Sequence, residues 1–262
     1  MSHVFPESFE PESLERSPRI SPGGLLKYEL PLLPATFLKR EKRFSVLAAL
    51  ADGREVWCHC PNPGRLTSCL DRPGIPLFLS PLPENPKNPT GYRYRTEQSE
   101  PLPGVRVGIN PNRGNRLALE ALQGPDNGLC PDWTHVGSEV ALGERSRIDH
   151  LFHDEAGRRV YVEVKSVTYR EGEAGLFPDA VSARAIRHLE ELSHLPEPSD
   201  RALLLFVVMR ADCRYVSPAD GVDPAYRRAL EAARKRGVEV RAALFEARTD
   251  GMAFSGELPV RF

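Results

Sequence analysis

RIDHLF (147–152) and RRVYVEVKSVTY (158–169) are two strand-like stretches near the middle of this 262-residue chain. DEAG (154–157) separates them, so together they predict two consecutive strands joined by a turn. Residues two apart on a strand share a face. Glu163 and Lys165 therefore point the same way, while Val162 and Val164 point into the core. A hairpin turn would also bring Asp149 beside Glu163.

This arrangement predicts a metal site with Asp149, Glu163 and Lys165 as the catalytic residues. The two carboxylates and the Val164 carbonyl suit a hard cation such as Mg²⁺. Lys165 would orient or deprotonate an attacking water. Only six of the 35 basic residues are lysines, which adds weight to a lysine at this position. The alternative is a solvated Glu–Lys pair on an exposed strand, because E-x-K alone is a common pattern.

The surrounding pattern predicts a mixed α/β domain. NRLALEALQG (115–124) is typical of a helix capped by Asn115, and FPDAVSARAIRHLEELSHL (177–195) of an amphipathic helix. ALLLFVVM (202–209) is a continuous apolar run of the kind found in strands buried on both faces. DPAYRRALEAARKRG (223–237) predicts another helix, and VEVRAALFEA (238–247) a closing strand.

Upstream, several short alternating segments predict a small β-barrel. They run from FLKREKRFSVLAAL (37–50) to VRVGIN (105–110). We expect a poorly ordered, proline-rich tail over residues 1–33, the barrel over 34–105 and the α/β domain over 106–262.

Composition excludes several classes of protein. Hydrophobic residues make up 40% and charged residues 27%, which is typical of a globular protein. No apolar run is long enough to cross a bilayer, and the N-terminus does not resemble a secretory signal. The five cysteines include no CxxC pair, so we expect reduced thiols and a cytoplasmic location. The net charge of −1 means that a nucleic-acid surface would be a local patch.

The motifs together resemble the sugar fermentation stimulation protein A family, whose core is that of the PD-(D/E)xK nucleases. The matching stretches are FLKREKRF, HCPNPGRLTSCLDRPG, NRLALEAL, SEVALGERSRIDHLF, YVEVKSVT, FPDAVSARAIRHLEEL and GVEVRAALFEA. The resemblance covers nearly everything after residue 34. It implies an OB-like N-terminal barrel followed by a nuclease-like α/β domain.

The resemblance also implies a function. It predicts binding of duplex DNA with little sequence preference, a role in regulating sugar (maltose) metabolism, and a nuclease-like site for Mg²⁺ or Mn²⁺. An active metal-dependent DNA or RNA endo- or exonuclease is the alternative. The nuclease pattern falls on Asp149, Glu163 and Lys165, with Glu120 or Glu139 as an added carboxylate. Many such nucleases carry Gln or Lys on the next helix, where this chain has Arg184, Arg187 and His188.

Basic residues define a predicted nucleic-acid surface. KREKR (39–43) has a local excess of positive charge, and Trp57, Tyr92 and Tyr94 lie near it in sequence. Cations would meet phosphates and rings would stack on bases. The alternative is a charged edge strand that prevents aggregation. The full predicted set is Lys39, Arg40, Lys42, Arg43, Arg65, Arg93, Arg95, Arg113, Arg116, Arg184, Arg187 and His188.

Other motifs have competing interpretations. Cys58 and Cys60 could belong to a zinc site, but strand alternation puts His59 on the opposite face, so core cysteines are favoured. PNPGRLT (61–67) is either a phosphate-binding loop or an ordinary turn. A sugar-phosphate enzyme would be a different function class, against which the lack of a glycine-rich nucleotide loop argues. A homodimer through an exposed barrel edge stays open.

Overall fold

The computed structural model describes residues 25–83, 91–123, 128–142 and 146–262. Its first strand, β1 (Leu25–Lys27), pairs antiparallel with the last strand of the chain, Gly251–Leu258. The predicted disorder of residues 1–33 is therefore wrong for Leu25–Lys27, and residues 1–24 lie outside the described residues. Leu26 is buried in the same apolar cluster as Phe254, and this burial outweighs the local proline content.

The N-terminal unit is a small barrel, as predicted. Its strands are β2 (Leu33–Glu41), β3 (Ser45–Leu50), β4 (Glu55–His59), β5 (Pro76–Pro81), β6 (Tyr94–Leu102) and β7 (Val105–Gly108). Their order is β4-β3-β2-β5-β6-β7, and parallel pairing of β4 with β6 closes five of them into a ring. The predicted boundary after residue 105 is too early, because β7 pairs with β6 up to Gly108.

The C-terminal unit alternates strands and helices. It contains α1 (Gly114–Gln123), β8 (Thr134–Leu142), β9 (Ser146–His153), β10 (Arg159–Val167), β11 (Tyr169–Glu171), β12 (Ala174–Phe177), α2 (Ala183–Leu192), β13 (Arg201–Val208), β14 (Tyr215–Pro218), α3 (Pro224–Lys235), β15 (Glu239–Ala247) and β16 (Gly251–Leu258). A short 3₁₀ turn, Pro111–Arg113, precedes α1.

A seven-stranded mixed sheet forms the centre of this unit, in the order β1-β16-β15-β13-β10-β9-β8. Strands β10, β13 and β15 are parallel, and β9 pairs antiparallel with β10. The apolar cluster on one face includes residues of α1, and the cluster on the other includes residues of α2 and α3. No helix in the described part of the chain is long and apolar enough to span a membrane.

The predicted succession of strand, strand, helix, strand, helix and strand is confirmed. The sequence missed a second sheet of three short strands, in the order β11-β12-β14. It also placed the start of α2 too early. Ser182 caps that helix by accepting from the Ala185 N–H, and Val181, which lies before the cap, is 76% exposed.

Polar side chains join the two units. The Gln98 amide on β6 donates to the Tyr28 hydroxyl and to the Arg248 carbonyl, both at 2.8 Å. Buried Arg210, which follows β13, donates to the Thr168 carbonyl and to the Ser68 hydroxyl in the barrel. Such buried groups stabilise an interface only when they are paired, so these contacts fix the barrel against the α/β domain.

Candidate metal centre and cleft

The β9–β10 hairpin brings the predicted carboxylates together. The register pairs Val162 with His150, and Asp149 is the residue next to His150 on β9. The Asp149 carboxylate then takes the place of a strand partner, because its Oδ2 accepts from the Val164 N–H at 2.7 Å. The predicted hairpin is confirmed.

Asp149 is held by a second donor. The Asn115 side-chain amide, at the start of α1, donates to Asp149 Oδ1 at 3.0 Å. Burial raises the pKa of Asp149 above its ordinary value, and the nearby charge of Glu163 raises it further. Two carboxylates that repel each other in a partly dry site favour binding of a cation between them.

Glu163 is almost completely buried, at 2% exposure. Its Oε1 accepts from Lys165 Nζ at 2.6 Å and from His188 Nδ1. Burial alone would raise the pKa of Glu163, but the His188 hydrogen bond and the Lys165 charge outweigh it and lower that pKa. Glu163 is therefore an ionised carboxylate with both of its hydrogen-bond donors on one oxygen.

The other oxygen, Glu163 Oε2, is buried without a hydrogen-bond partner among the described residues. An orphaned carboxylate oxygen in a protein interior calls for a ligand. The Val164 carbonyl leaves the strand on the same side as its N–H, which points to Asp149. Two carboxylates and one carbonyl are oxygen donors of the kind that Mg²⁺ and Ca²⁺ prefer, with water completing the shell.

The two extra carboxylates differ in position. Glu139 lies on β8 with a left-handed φ of 53°, and its Oε1 is 3.5 Å from the same Asn115 amide that holds Asp149. Glu120 lies five residues after Asn115 on α1, about 140° around the helix. Among the described residues, no contact joins Glu120 to the metal centre. No cluster of three or more His, Cys, Asp or Glu side chains in that part of the chain could hold a metal by itself.

His188 was predicted to contact nucleic acid, and the structure corrects this. The ring is buried, at 7% exposure, and lies between Glu163 and Arg184. Arg184 Nε donates to His188 Nε2 at 3.3 Å, so Nδ1 carries the proton that His188 donates to Glu163. On the helix where many such nucleases carry Gln or Lys, His188 of this chain fixes the orientation of the Glu163 carboxylate.

The sequence missed a polar chain behind Asp149. His150 is buried, its Nε2 contacts the Asn115 carbonyl at 3.0 Å, and its Nδ1 contacts the Ser138 hydroxyl at 2.9 Å. Burial lowers the pKa of His150 to about 4. A neutral ring therefore fixes the first turn of α1. From the sequence, Asn115 is predicted only as a helix cap, because the sequence does not show which strand its side-chain amide contacts.

A cleft of about 770 Å³ lies between the two units. Val164, Lys165 and Asn115 from the metal centre line it on one side, and Arg43 and Phe44 line it on the other. The predicted catalytic Lys165 thus has a path to solvent. A hollow of about 890 Å³ between α2 and α3 contains none of the predicted site residues.

The predicted basic residues divide into a group that is exposed and a group that is paired within the protein. Lys42, Arg43, Arg65, Arg93, Arg116, Arg184 and Arg187 are exposed, although Arg187 lies 4.0 Å from Glu191. Lys39, also exposed, pairs with Glu41.

Three predicted nucleic-acid contacts are instead structural. Arg40 donates to backbone carbonyls, including those of Asn62 and Gly64. Arg95 and Arg113 donate to Glu97, whose side chain is fully buried. These cations neutralise a carboxylate or hold a loop, and they are not available as a group for phosphates.

Two further motifs have structural roles. Cys58 and Cys60 are buried in the barrel core, as favoured from the sequence, and His59 points away from them. In the PNPGRLT loop the Leu66 N–H donates to the Asp179 carboxylate of the other unit at 3.1 Å. This loop binds an anionic group, and that group belongs to the chain itself.

Comparisons with known proteins identify the family. The model described as SfsA N-terminal OB domain matches residues 38–101, and that described as Sugar fermentation stimulation protein RE domain matches residues 112–251. With the observed topology, these matches confirm a mixed α/β chain with an OB barrel before a second, α/β domain.

Individual relatives agree with this assignment. The sugar fermentation stimulation protein homolog of Geotalea uraniireducens is 40% identical over 90% of this chain and all of its own length. That of Pelobacter propionicus is 40% identical over 88% of this chain and 97% of its own. The structure of Pyrococcus furiosus SfsA in complex with Ca²⁺ is 27% identical, has a TM-score of 0.79, and covers 91% of this chain and 99% of its own. The chain belongs to the sugar fermentation stimulation protein family.

Proposed function

We propose that this protein binds DNA in the cleft between its two units and hydrolyses a phosphodiester bond there with a divalent metal ion. The observation that carries the proposal is that Val164 and Lys165, which line that cleft, contact the carboxylates of Asp149 and Glu163 directly. Regulation of sugar (maltose) metabolism, as implied by the family resemblance, would be a consequence of this DNA binding.

Asp149, the orphaned Glu163 Oε2 and the Val164 carbonyl would hold the ion. Mg²⁺ or Mn²⁺ is the proposed cofactor, and the Ca²⁺ in the Pyrococcus furiosus relative is an ion that binds the same kind of oxygen donors. Such an ion, when bound, lowers the pKa of a water and neutralises charge on a phosphate. Asn115 and His188 contribute by fixing the two carboxylates in place.

Lys165 supplies a positive charge at the cleft wall. Its ammonium contacts Glu163 Oε1 and keeps a side-chain exposure of 13%, so it faces both the carboxylate and the solvent. It can donate a hydrogen bond to a phosphate oxygen or to the attacking water, which places the nucleophile for reaction.

The exposed cations provide sequence-independent affinity. Arg43 and Arg184 face the cleft, with Lys42 beside Arg43 at the tip of the β2–β3 hairpin. Contacts of this kind go to the DNA backbone and carry no base information. We therefore expect little sequence preference and a steep decrease in affinity as salt increases.

The test is incubation of purified protein with linear and circular DNA in Mg²⁺, Mn²⁺ or EDTA. Lys165→Ala should abolish metal-dependent cleavage while DNA affinity changes only a few-fold. Lys235→Ala, an exposed lysine on α3, is the matched control and should cleave like the unchanged protein. Equal cleavage by the two variants would refute the assigned site.

DNA binding without turnover is a second candidate. One observation favours it: on α2, where many related nucleases carry Gln or Lys, this chain has Arg184, Arg187 and His188, and His188 is buried against Glu163. In that case the protein would bind DNA with the same salt dependence, and no metal would produce cleavage. The same incubation therefore separates the two candidates.

A further inference from the structure

The outer face of the barrel carries a row of exposed rings. Phe44 is 45% exposed and Tyr92 is 38% exposed, and His59 lies between them with ring centroids 6.3 Å and 5.7 Å away. Trp57, 40% exposed, lies two residues before His59 on the same face of β4. We call Phe44, Trp57, His59 and Tyr92 the aromatic row.

This row is a concentrated feature of the surface. Among the described residues, the large aromatic side chains counted as exposed are Phe44, Trp57, Tyr92 and Phe262, so three of the four lie in the row. Large apolar groups that stay in contact with water and lie close together mark an interaction site. Tyr94, grouped with these rings on sequence grounds, instead packs against the barrel core.

Cations lie beside two rings of the row. Lys39 Nζ lies 5.7 Å from the centroid of the Trp57 ring, and Lys42 and Arg43 precede Phe44 in the hairpin. Of these three cations, Lys39 forms an ion pair with Glu41. Rings flanked by cations fit a polyanion that also exposes flat aromatic faces, which is the chemistry of single-stranded nucleic acid.

The row continues into the cleft. Phe44 and Arg43 both line the wall that faces Lys165. A strand whose bases stack on the row would therefore pass its backbone toward the metal centre. In a duplex the faces of the bases are stacked on each other and are not available to these rings.

We infer, on the basis of the proposed function, that the DNA bound here contains a single-stranded segment whose unpaired bases stack on the aromatic row. This replaces the expectation of duplex DNA as the preferred ligand. The rings select unpaired bases, and the cations bind the phosphates between them. The inference concerns which DNA the cleft accepts, and it does not depend on whether cleavage occurs.

The experiment measures binding by fluorescence anisotropy in EDTA, with labelled single-stranded DNA, blunt duplex and duplex with a single-stranded overhang. Single-stranded and overhang DNA should bind at least about tenfold more tightly than blunt duplex. Phe44→Leu and Tyr92→Leu should each weaken single-strand binding by about tenfold and change duplex binding less than about twofold. Phe44→Tyr keeps a ring and should restore the affinity.

Phe262→Leu is the matched control, because Phe262 is also exposed but lies under Arg234 of α3. It should bind every DNA like the unchanged protein. Equal affinity for single strand and blunt duplex, with no effect of Phe44→Leu, would overturn this inference and leave the proposed function intact. Failure to bind any DNA would overturn both.

Discussion

Glu163→Gln tests the metal centre with the change of a single atom. Glu163 Oε1 accepts both recorded hydrogen bonds, and Oε2 has no partner among the described residues. A glutamine can keep its carbonyl oxygen at the Oε1 position and place its amide nitrogen at the orphaned position. The fold is thus retained, while the oxygen that would bind a cation is lost.

The expected magnitudes follow from the contacts. Hydrogen bonds to a charged acceptor are each stronger than neutral ones by about 1 kcal/mol, so the two bonds of Glu163 predict a loss of about 2 kcal/mol in the metal-free protein. A cation at a hundredfold excess over its Kd adds about 2.7 kcal/mol of stability. In a chain of this size that corresponds to a rise in Tm of about 5–10 °C.

The assay is thermal unfolding in EDTA, Mg²⁺ and Ca²⁺. We expect both cations to raise the Tm of the unchanged protein above its value in EDTA. The Tm of Glu163→Gln should stay within about 1 °C of its own value in EDTA. Glu190→Gln, an exposed carboxylate on α2, is the control and should respond like the unchanged protein. A full metal response in Glu163→Gln would refute the role of Glu163 as a ligand.

Three further predictions concern the supporting contacts. Burial raises the pKa of Glu97, but the hydrogen bond and the charge of Arg113 outweigh it and lower that pKa. The stabilisation that ionised Glu97 provides is therefore complete above about pH 4.5 and is lost as pH decreases further. In urea titrations the stability difference between the unchanged protein and Glu97→Gln should shrink with acidification, and a difference that grows would contradict this. Asn115→Ala removes a donor from the metal-site carboxylate and should weaken Ca²⁺ binding about 10–100-fold by calorimetry; an unchanged Kd would contradict this. Asp179→Ala leaves the Leu66 N–H without its acceptor and should cost about 1–2 kcal/mol in urea unfolding, whereas full stability would show that the contact is dispensable.

The centre of the site could be predicted because its determinants are local. Glu163 and Lys165 share a strand face through the two-residue period, and Asp149 reaches them through a short hairpin. Neither relation depends on the rest of the fold. The same holds for the barrel hairpins β3–β4 and β6–β7, whose turns are short and contain glycine at positive φ, at Gly53 and Gly104.

The partners of the site could not be predicted, because they come from distant elements. Asn115 has the spacing of a helix cap, and only the packing of α1 on the sheet brings its amide to Asp149. His188 lies three residues after Ala185 and four before Leu192, so the helical period places it on the buried face of α2. The period does not show that the residue it meets there is Glu163.

The contact between the two units also determines which arginines are available on the surface. YRTEQSEPL (94–102) has the composition of an exposed strand, yet Glu97 and Gln98 are buried where the barrel meets the α/β domain. Buried Glu97 draws Arg95 and Arg113 inward, so they do not add to the nucleic-acid surface. The sequence shows that these cations are present, but it does not show which carboxylate they will pair with in the fold.

The most direct measurement is a crystal structure of the protein grown with Ca²⁺. We predict one ion that contacts an Asp149 carboxylate oxygen and Glu163 Oε2 at about 2.3–2.6 Å, with the Val164 carbonyl as a further ligand. An ion bound elsewhere, or an Asp149–Glu163 pair that stays empty at saturating Ca²⁺, would contradict the metal centre and the proposed function that rests on it.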